Sequence, residues 1–180
     1  MTRVAIQGIR GSYSDDAVGE IFGASAVIVE CTDFAQTFAA VTAGTADNAV
    51  VPVRNKIVGD IAGSVRLLHE CDLKIVGELS LKVRHVLAGT WEAEFDRVTS
   101  VRSHVEALRQ CGNFLNAHPR LVRVIGADTA SSIRRIVNGD DPTAAAIGSR
   151  RAAELYGAKI ICEDIADDPD NWTTFYLLEK

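Results

Sequence analysis

Short apolar runs of three to five residues alternate along this chain with longer stretches in which apolar residues recur every three or four positions. Such runs predict strands, and the longer stretches predict helices packed against them. The alternation predicts an α/β protein with much parallel sheet. In the first half, strands are predicted at 4–6, 26–29 and 49–53, and helices at 15–22, 33–43 and 61–70. Ser14 is the expected cap of the first helix, with Asp15 and Asp16 at its positive end. Pro52 predicts that the third strand ends or leaves its ladder there. Residues 73–87 are strand-rich, and 90–95 read as a polar loop. A second series follows, with strands at 97–101, 121–125 and 144–147, helices at 105–116, 129–137 and 149–156, and closing strands at 159–161 and 174–178. Two such series joined by a strand-rich middle predict two lobes with a ligand between them.

Composition narrows the class. Of 180 residues, 47% are hydrophobic and 24% charged, which excludes disordered and low-complexity chains. No apolar run approaches the ~20 residues that a membrane-crossing helix needs. Met1 to Ile6 enters a strand at once, so no membrane partner is expected and the location expected is cytoplasmic. Lys plus Arg number 19 against 24 Asp plus Glu, a net charge of −5 that argues against a general nucleic-acid binder. Cys31, Cys71, Cys111 and Cys162 lie 40 or more residues apart, with neither zinc spacing nor a disulfide framework. His69, His85, His104 and His118 show no ligand spacing either. Neither metal nor cofactor is expected.

Four segments carry candidate chemistry. Gly8 to Ser14, with Arg10 and Ser12, lies between a strand and a helix, where glycines admit a close ligand and helix-start N–H groups hold an anion. It lacks the third glycine of the dinucleotide fingerprint, and a tight turn accounts for the spacing equally well. Arg54 and Lys56 flank Asn55 at a strand end; alternate residues share a face, and two cations there suit a carboxylate or simply a solvated turn. Ser103-His104 precedes the helix bearing Gln110 and Cys111, with no carboxylate spaced to complete a triad. Thr173 stands at the entrance of the last strand behind an acidic loop, where a hydroxyl can face a ligand.

Taken in order, these segments resemble the catalytic domain of prephenate dehydratase over nearly the whole chain. Gly8 to Ser14 is similar to that family's Gly-Pro-Glu-Gly-Thr-Phe-Ser, and Pro52 to Gly59 to its Pro-x-Glu-Asn-Ser and following glycine. His85 resembles a family histidine, and Ser103-His104 with Gln110-Cys111 its Ser-His…Gln-Cys element. Thr129-Ala130, Ala145-Ala146-Ile147, Leu155-Tyr156-Gly157 and Asn171-Trp172-Thr173-Thr174-Phe175 follow in register, the last against Asn-x-Thr-Arg-Phe. The resemblance implies a two-lobed α/β fold of the periplasmic-binding-protein type II kind, with the active site in the interlobe cleft. The expected lobes are about 1–78 plus 163–180 and about 79–162. It also implies a homodimer or larger homo-oligomer. Because the chain stops at Lys180, the phenylalanine-sensing ACT domain of many members is expected to be missing.

The departures fall among the charged positions. Glu-Asn-Ser has become Arg54-Asn55-Lys56, Thr-Arg-Phe has become Thr173-Thr174-Phe175, and Pro-Glu has become Ile9-Arg10. The resemblance implies catalytic roles for Thr173, Asn55, Ser103 and Gln110. Thr173 would donate to the leaving hydroxyl and the other three would orient the ring or its carboxylates. Arg54, Lys56, Ser12, Arg10, His104, Thr174 and Phe175 are the expected substrate-binding set, with Arg54 or Lys56 standing in for the missing arginine. The expected activity is a carbon–oxygen lyase acting on prephenate or a related small cyclic carboxylate. Two alternatives stay open at this point. One is a diverted relative, such as a non-aromatising decarboxylase or a dehydratase of another cyclic anion in specialised metabolism. The other is a non-catalytic small-molecule binding module.

Overall fold

The structure is a computed structural model describing residues 1–180. In chain order its elements are β1 (Arg3–Gln7), α1 (Tyr13–Phe22), β2 (Val27–Cys31), α2 (Phe34–Thr42), β3 (Asn48–Asn55), β4 (Gly59–Asp60), α3 (Ala62–Glu70) and β5 (Lys74–Lys82). There follow β6 (Val86–Gly89), β7 (Ser100–Ser103), α4 (Val105–Gln110), α5 (Gly112–Ala117), β8 (Val122–Ile125), α6 (Thr129–Gly139), β9 (Ala144–Gly148), α7 (Arg150–Tyr156), β10 (Lys159–Cys162) and β11 (Trp172–Glu179). No helix is long and apolar enough to cross a membrane.

The chain divides into two compact units, Met1–Val83 with Asn171–Lys180, and Arg84–Asp170. These bounds lie five and eight residues beyond the expected 78/79 and 162/163, for two reasons. β5 pairs with β11 along its length, from Glu179↔Lys74 to Trp172↔Lys82, and so stays in the first unit. The loop after β10 stays in the second, because Ile165 N–H bonds the His85 carbonyl and Asp167 N–H bonds the Gln110 carbonyl at 2.7 Å.

In the first unit the strands run β2-β1-β3-β11-β5, with β4 on β3. Only β1–β2 and β1–β3 are parallel; β11 returns antiparallel between β3 and β5. Buried Ala5, Val51, Phe38 and Val41 form one core cluster, and Val4, Ile6, Val18 and Phe175 another. α1 starts earlier than expected. Ser12, not Ser14, caps it, its Oγ accepting from Asp15 N–H at 3.3 Å, while the Asp15 carboxylate accepts from Gly11 N–H at 2.8 Å. Gly11, at φ 83°, makes this reciprocal closure possible two residues upstream of the prediction.

β3 also runs past Pro52, contrary to the expected break. Arg54 opposes Thr174 and Pro52 opposes Phe175, so Val53 is the extra residue of a bulge. The bulge absorbs the missing proline donor, and the Ser64 hydroxyl satisfies the Pro52 carbonyl. The strand therefore delivers Asn55 opposite Thr173.

In the second unit the order is β10-β6-β9-β7-β8, parallel for β7–β8 and β7–β9 and antiparallel for the rest. Both sheets are thus mixed rather than mainly parallel. α4 and α5 cover one face through Leu87, Val101, Leu108, Leu115 and Ile147. The helix predicted over 105–116 is broken at Cys111 (φ −111°, ψ 28°), because Asp167 supplies a new cap by accepting from Asn113 N–H at 2.9 Å. α6 packs across β7 and β9. Strand alternation puts Arg102 on this helix's side and Val101 and Ser103 on the side of α4.

Candidate active site

The bulged end of β3 and the start of β11 hold a buried amide–hydroxyl network. Asn55 Nδ2 donates to Asn171 Oδ1 at 2.8 Å, to Thr173 Oγ1 at 2.9 Å and to the Trp172 carbonyl at 3.2 Å. Its Oδ1 accepts from Ile57 N–H at 2.9 Å and Val58 N–H at 3.0 Å. Two backbone donors can only face an acceptor, so they settle which end of the amide is oxygen and which is nitrogen. Thr173 Oγ therefore receives a hydrogen bond. Its own proton has no protein acceptor and is directed away from Asn55. Asn55 and Thr173 are each 7% exposed and Asn171 is fully buried, a dry setting in which an oriented dipole is strong.

The other expected residues of this unit are distributed around that network. Arg54 alternates with Asn55 on β3 and is exposed, its Nε 3.8 Å from Asp60 Oδ1; exposed Lys56 begins the turn that follows the strand. The structure thus sets Arg54 on the opposite strand face from the Asn55–Thr173 pair. Thr174 likewise alternates with Thr173, and its Oγ1 lies 3.2 Å from Ser80 Oγ. Phe175 is 1% exposed in the apolar cluster with Val4 and Ile6. Ser12 caps α1, and Arg10 N–H donates to Glu30 Oε1 at 2.8 Å, which ties down the loop before the helix.

In the second unit, Ser103 and Gln110 occupy different ends of the β7–α4 segment. Ser103 Oγ is buried and donates to the Ile147 carbonyl of β9 at 2.7 Å, which couples the two parallel strands at their ends. His104 caps α4, its Nδ1 accepting from Glu106 N–H at 3.3 Å, and that acceptance places its ring proton on Nε2. Gln110 Oε1 lies 2.9 Å from His85 Nε2; an amide oxygen only accepts, so Nε2 carries a proton. Burial lowers the His85 pKa below its ordinary 6.5, opposed by the bond to Gln110. His85 and Asn171 stand in the family-like motifs without a role, and the structure gives them partners in Gln110 and Asn55. Asn171 lies two positions before Thr173 in an extended run, the spacing that shares a face.

His85 yields a pH prediction. Its folded pKa lies below the unfolded 6.5, so the unfolded chain binds the extra proton first. Its contribution is complete above pH 6.5 and is lost as pH falls through that value towards the folded pKa. We expect melting temperature to fall between about pH 7 and 5.5. His85→Gln, though less stable, should flatten that slope; an unchanged slope would remove His85 as its source.

No group of three His, Cys, Asp or Glu side chains stands close enough to hold a metal ion. The Cys111 thiol, pushed up to about 12 by burial, is no nucleophile near neutral pH.

Comparison with known proteins gives this geometry a family. The family model described as prephenate dehydratase matches residues 4–180. Arogenate dehydratase/prephenate dehydratase 2, chloroplastic, of Arabidopsis thaliana is 39% identical over 178 residues, covering 99% of this chain and 46% of that protein. The bifunctional chorismate mutase/prephenate dehydratase of Neisseria gonorrhoeae is 32% identical over 176 residues, 97% of this chain and 49% of that one. The chain spans about half the length of the curated relatives it matches. Among solved structures, the prephenate dehydratase of Arthrobacter aurescens, in complex with L-Phe, superposes with a TM-score of 0.91 at 28% identity, covering 99% of this chain and 60% of that one. The fold is the α/β, periplasmic-binding-protein-like type II fold of these enzymes. On the family match, the relatives and the shared fold together, the chain belongs to the prephenate dehydratase family.

Proposed function

We propose that this chain is a dehydratase that removes the ring hydroxyl and one carboxylate together from prephenate, or from the arogenate for which the plant relatives are named. One observation carries the mechanism: a buried threonine hydroxyl that accepts from Asn55 and keeps its own proton to give. In prephenate the electron pair of the ring carbon–carboxylate bond moves into the ring as carbon dioxide departs. The ring carbon–oxygen bond breaks, the ring becomes aromatic and phenylpyruvate remains. Thr173 donates a hydrogen bond to the departing oxygen, and solvent supplies the proton that completes water. Asn55, by donating to Thr173 Oγ, makes the remaining O–H a better donor. In the second unit, Ser103, donating to the Ile147 carbonyl, and Gln110, held by His85, act as positioning residues that fix the β7–α4 segment. The Gly8–Ser14 loop, with Arg10 and Ser12 at the start of α1, receives a carboxylate. We further propose that the chain works in the cytoplasm as a homodimer or larger homo-oligomer.

The test is direct. Purified protein is given prephenate and, separately, arogenate, and products are followed by ultraviolet absorbance and mass. An aromatic product lacking the ring hydroxyl supports the reading; a non-aromatic product, or no turnover of either substrate, overturns it. Arg54→Gln belongs in the same assay. Its exposed, Asp60-facing position leads us to expect KM within about twofold of the parent. A tenfold rise would restore Arg54 as a carboxylate clamp.

A further inference from the structure

A second concave surface lies in the second unit, on the side of its sheet away from Ser103. It is a groove of about 600 Å³ between α6 and the β7–β8 edge, lined by Arg102, Gly126, Ser131, Arg134, Arg135 and Asn138 among others. That volume suits a small molecule. Three guanidinium groups line the groove and no carboxylate does, in a chain whose net charge is −5. Three arginines elsewhere are ion-paired: Arg3 with Asp47 and Arg150 with Glu163, both at 2.7 Å, and Arg109 with Glu106 at 3.2 Å.

Arg102 and Arg134 are held without being neutralised. Arg102 Nη1 donates to the Ile125 carbonyl at 3.3 Å, leaving most of its N–H groups uncommitted. The Arg134 guanidinium lies 5.9 Å from the centroid of the Tyr156 ring, a contact that fixes the cation and keeps its charge. Two acids stand at the ends of α6. Asp128 is its N-cap, accepting from Ser131 N–H at 2.6 Å, and Asp140 is its C-cap; neither lines the groove. Three like charges gathered on one concavity repel each other, and an anion bound among them reverses that repulsion while receiving planar, two-pronged hydrogen bonds. Asn138 and Ser131 add neutral donors on the same wall.

We propose that this groove binds a small, multiply charged oxyanion, a molecule bearing at least two phosphoryl or carboxylate groups, through Arg102, Arg134 and Arg135. The site is separate from the Ser103–Gln110 side of the sheet, so its occupant is a second ligand and not the reacting ring.

The experiment is calorimetric titration of the full chain at low ionic strength, with sodium pyrophosphate in one arm and citrate in the other. Arg102→Gln, and Arg134→Gln with Arg135→Gln, are titrated beside the parent. Arg66→Gln, on α3 of the first unit, serves as a control. Arg134 and Arg135 are exposed on a helix, where glutamine keeps the helix propensity, so that variant remains folded. We expect saturable one-to-one binding of at least one probe, weakened about tenfold or more by the groove variants and within about twofold of the parent in Arg66→Gln. Binding of pyrophosphate alone assigns a phosphoryl ligand, and of citrate alone a polycarboxylate. No saturable binding of either overturns the proposal. So does an equal loss in Arg66→Gln, which would mean general attraction to charge.

Discussion

Thr173→Val is expected to lower kcat on the true substrate by a hundredfold or more, the scale on which loss of one oriented donor is felt, and to leave the fold in place. Valine matches threonine in shape and removes only the hydroxyl. The position is 7% exposed, and the hydroxyl accepts one bond from Asn55. The Asn55 amide keeps its bonds to Asn171 and to the Trp172 carbonyl, so stability should fall by only about 1 kcal/mol. Thr173→Ser retains the donor and should recover most of the rate. KM should change much less than kcat, since the donor acts where charge builds on the departing oxygen. Valine at near-parental kcat would remove Thr173 from the mechanism.

Asn55 should show two separable effects. Asn55→Ala removes every contact of a nearly buried amide, taking one partner from Asn171 Oδ1 and the acceptor from the N–H groups of Ile57 and Val58. We expect about 2–3 kcal/mol of lost stability, read from denaturant unfolding, and turnover lost with it. Asn55→Asp reverses the hydrogen bond to Thr173, while also losing the donations to Asn171 Oδ1 and the Trp172 carbonyl. A carboxylate still accepts from Ile57 and Val58, but towards Thr173 it also accepts. The threonine proton then turns inward and is withdrawn from the leaving oxygen. A drop in kcat of a hundredfold or more is expected in a variant that still folds. Parental kcat in Asn55→Asp would show that the direction of the Asn55–Thr173 hydrogen bond does not matter.

How much of this was readable in advance differs element by element. The second and third strands and α2 were visible because Val, Ile and Phe recur with local periods, and Asp33 caps α2 as a short polar residue at a helix start should. α1 was visible, but its cap was misassigned by two residues. Ser12 and Ser14 are chemically alike, and only the left-handed turn at Gly11 and the reach of Asp15 back to it choose between them. The broken α4–α5 helix was illegible for a different reason. Its local pattern is continuous, and the competing cap comes from Asp167, far along the chain.

The candidate site divides the same way. Its polar residues stood out in motifs: Asn55 between two cations, Ser103 before a helix, and Thr173 at a strand entrance. Residue types and order along the chain were enough for the family, because side-chain chemistry and spacing are properties of the chain itself. The hydrogen-bond partners were not. That Thr173 accepts from Asn55 depends on pairing two strands more than a hundred residues apart, with a bulge at Val53 to set the register. That Arg54 faces Asp60 and not Asn55 follows from the pleat of β3. The three unpaired arginines of the α6 groove come from β7 and α6, elements with no motif to link them. The sequence alone determined which groups are present and which elements carry them, since both rest on local periodicity and composition. Direction, pairing and charge balance arise from contacts between distant segments, and only the tertiary structure decided them.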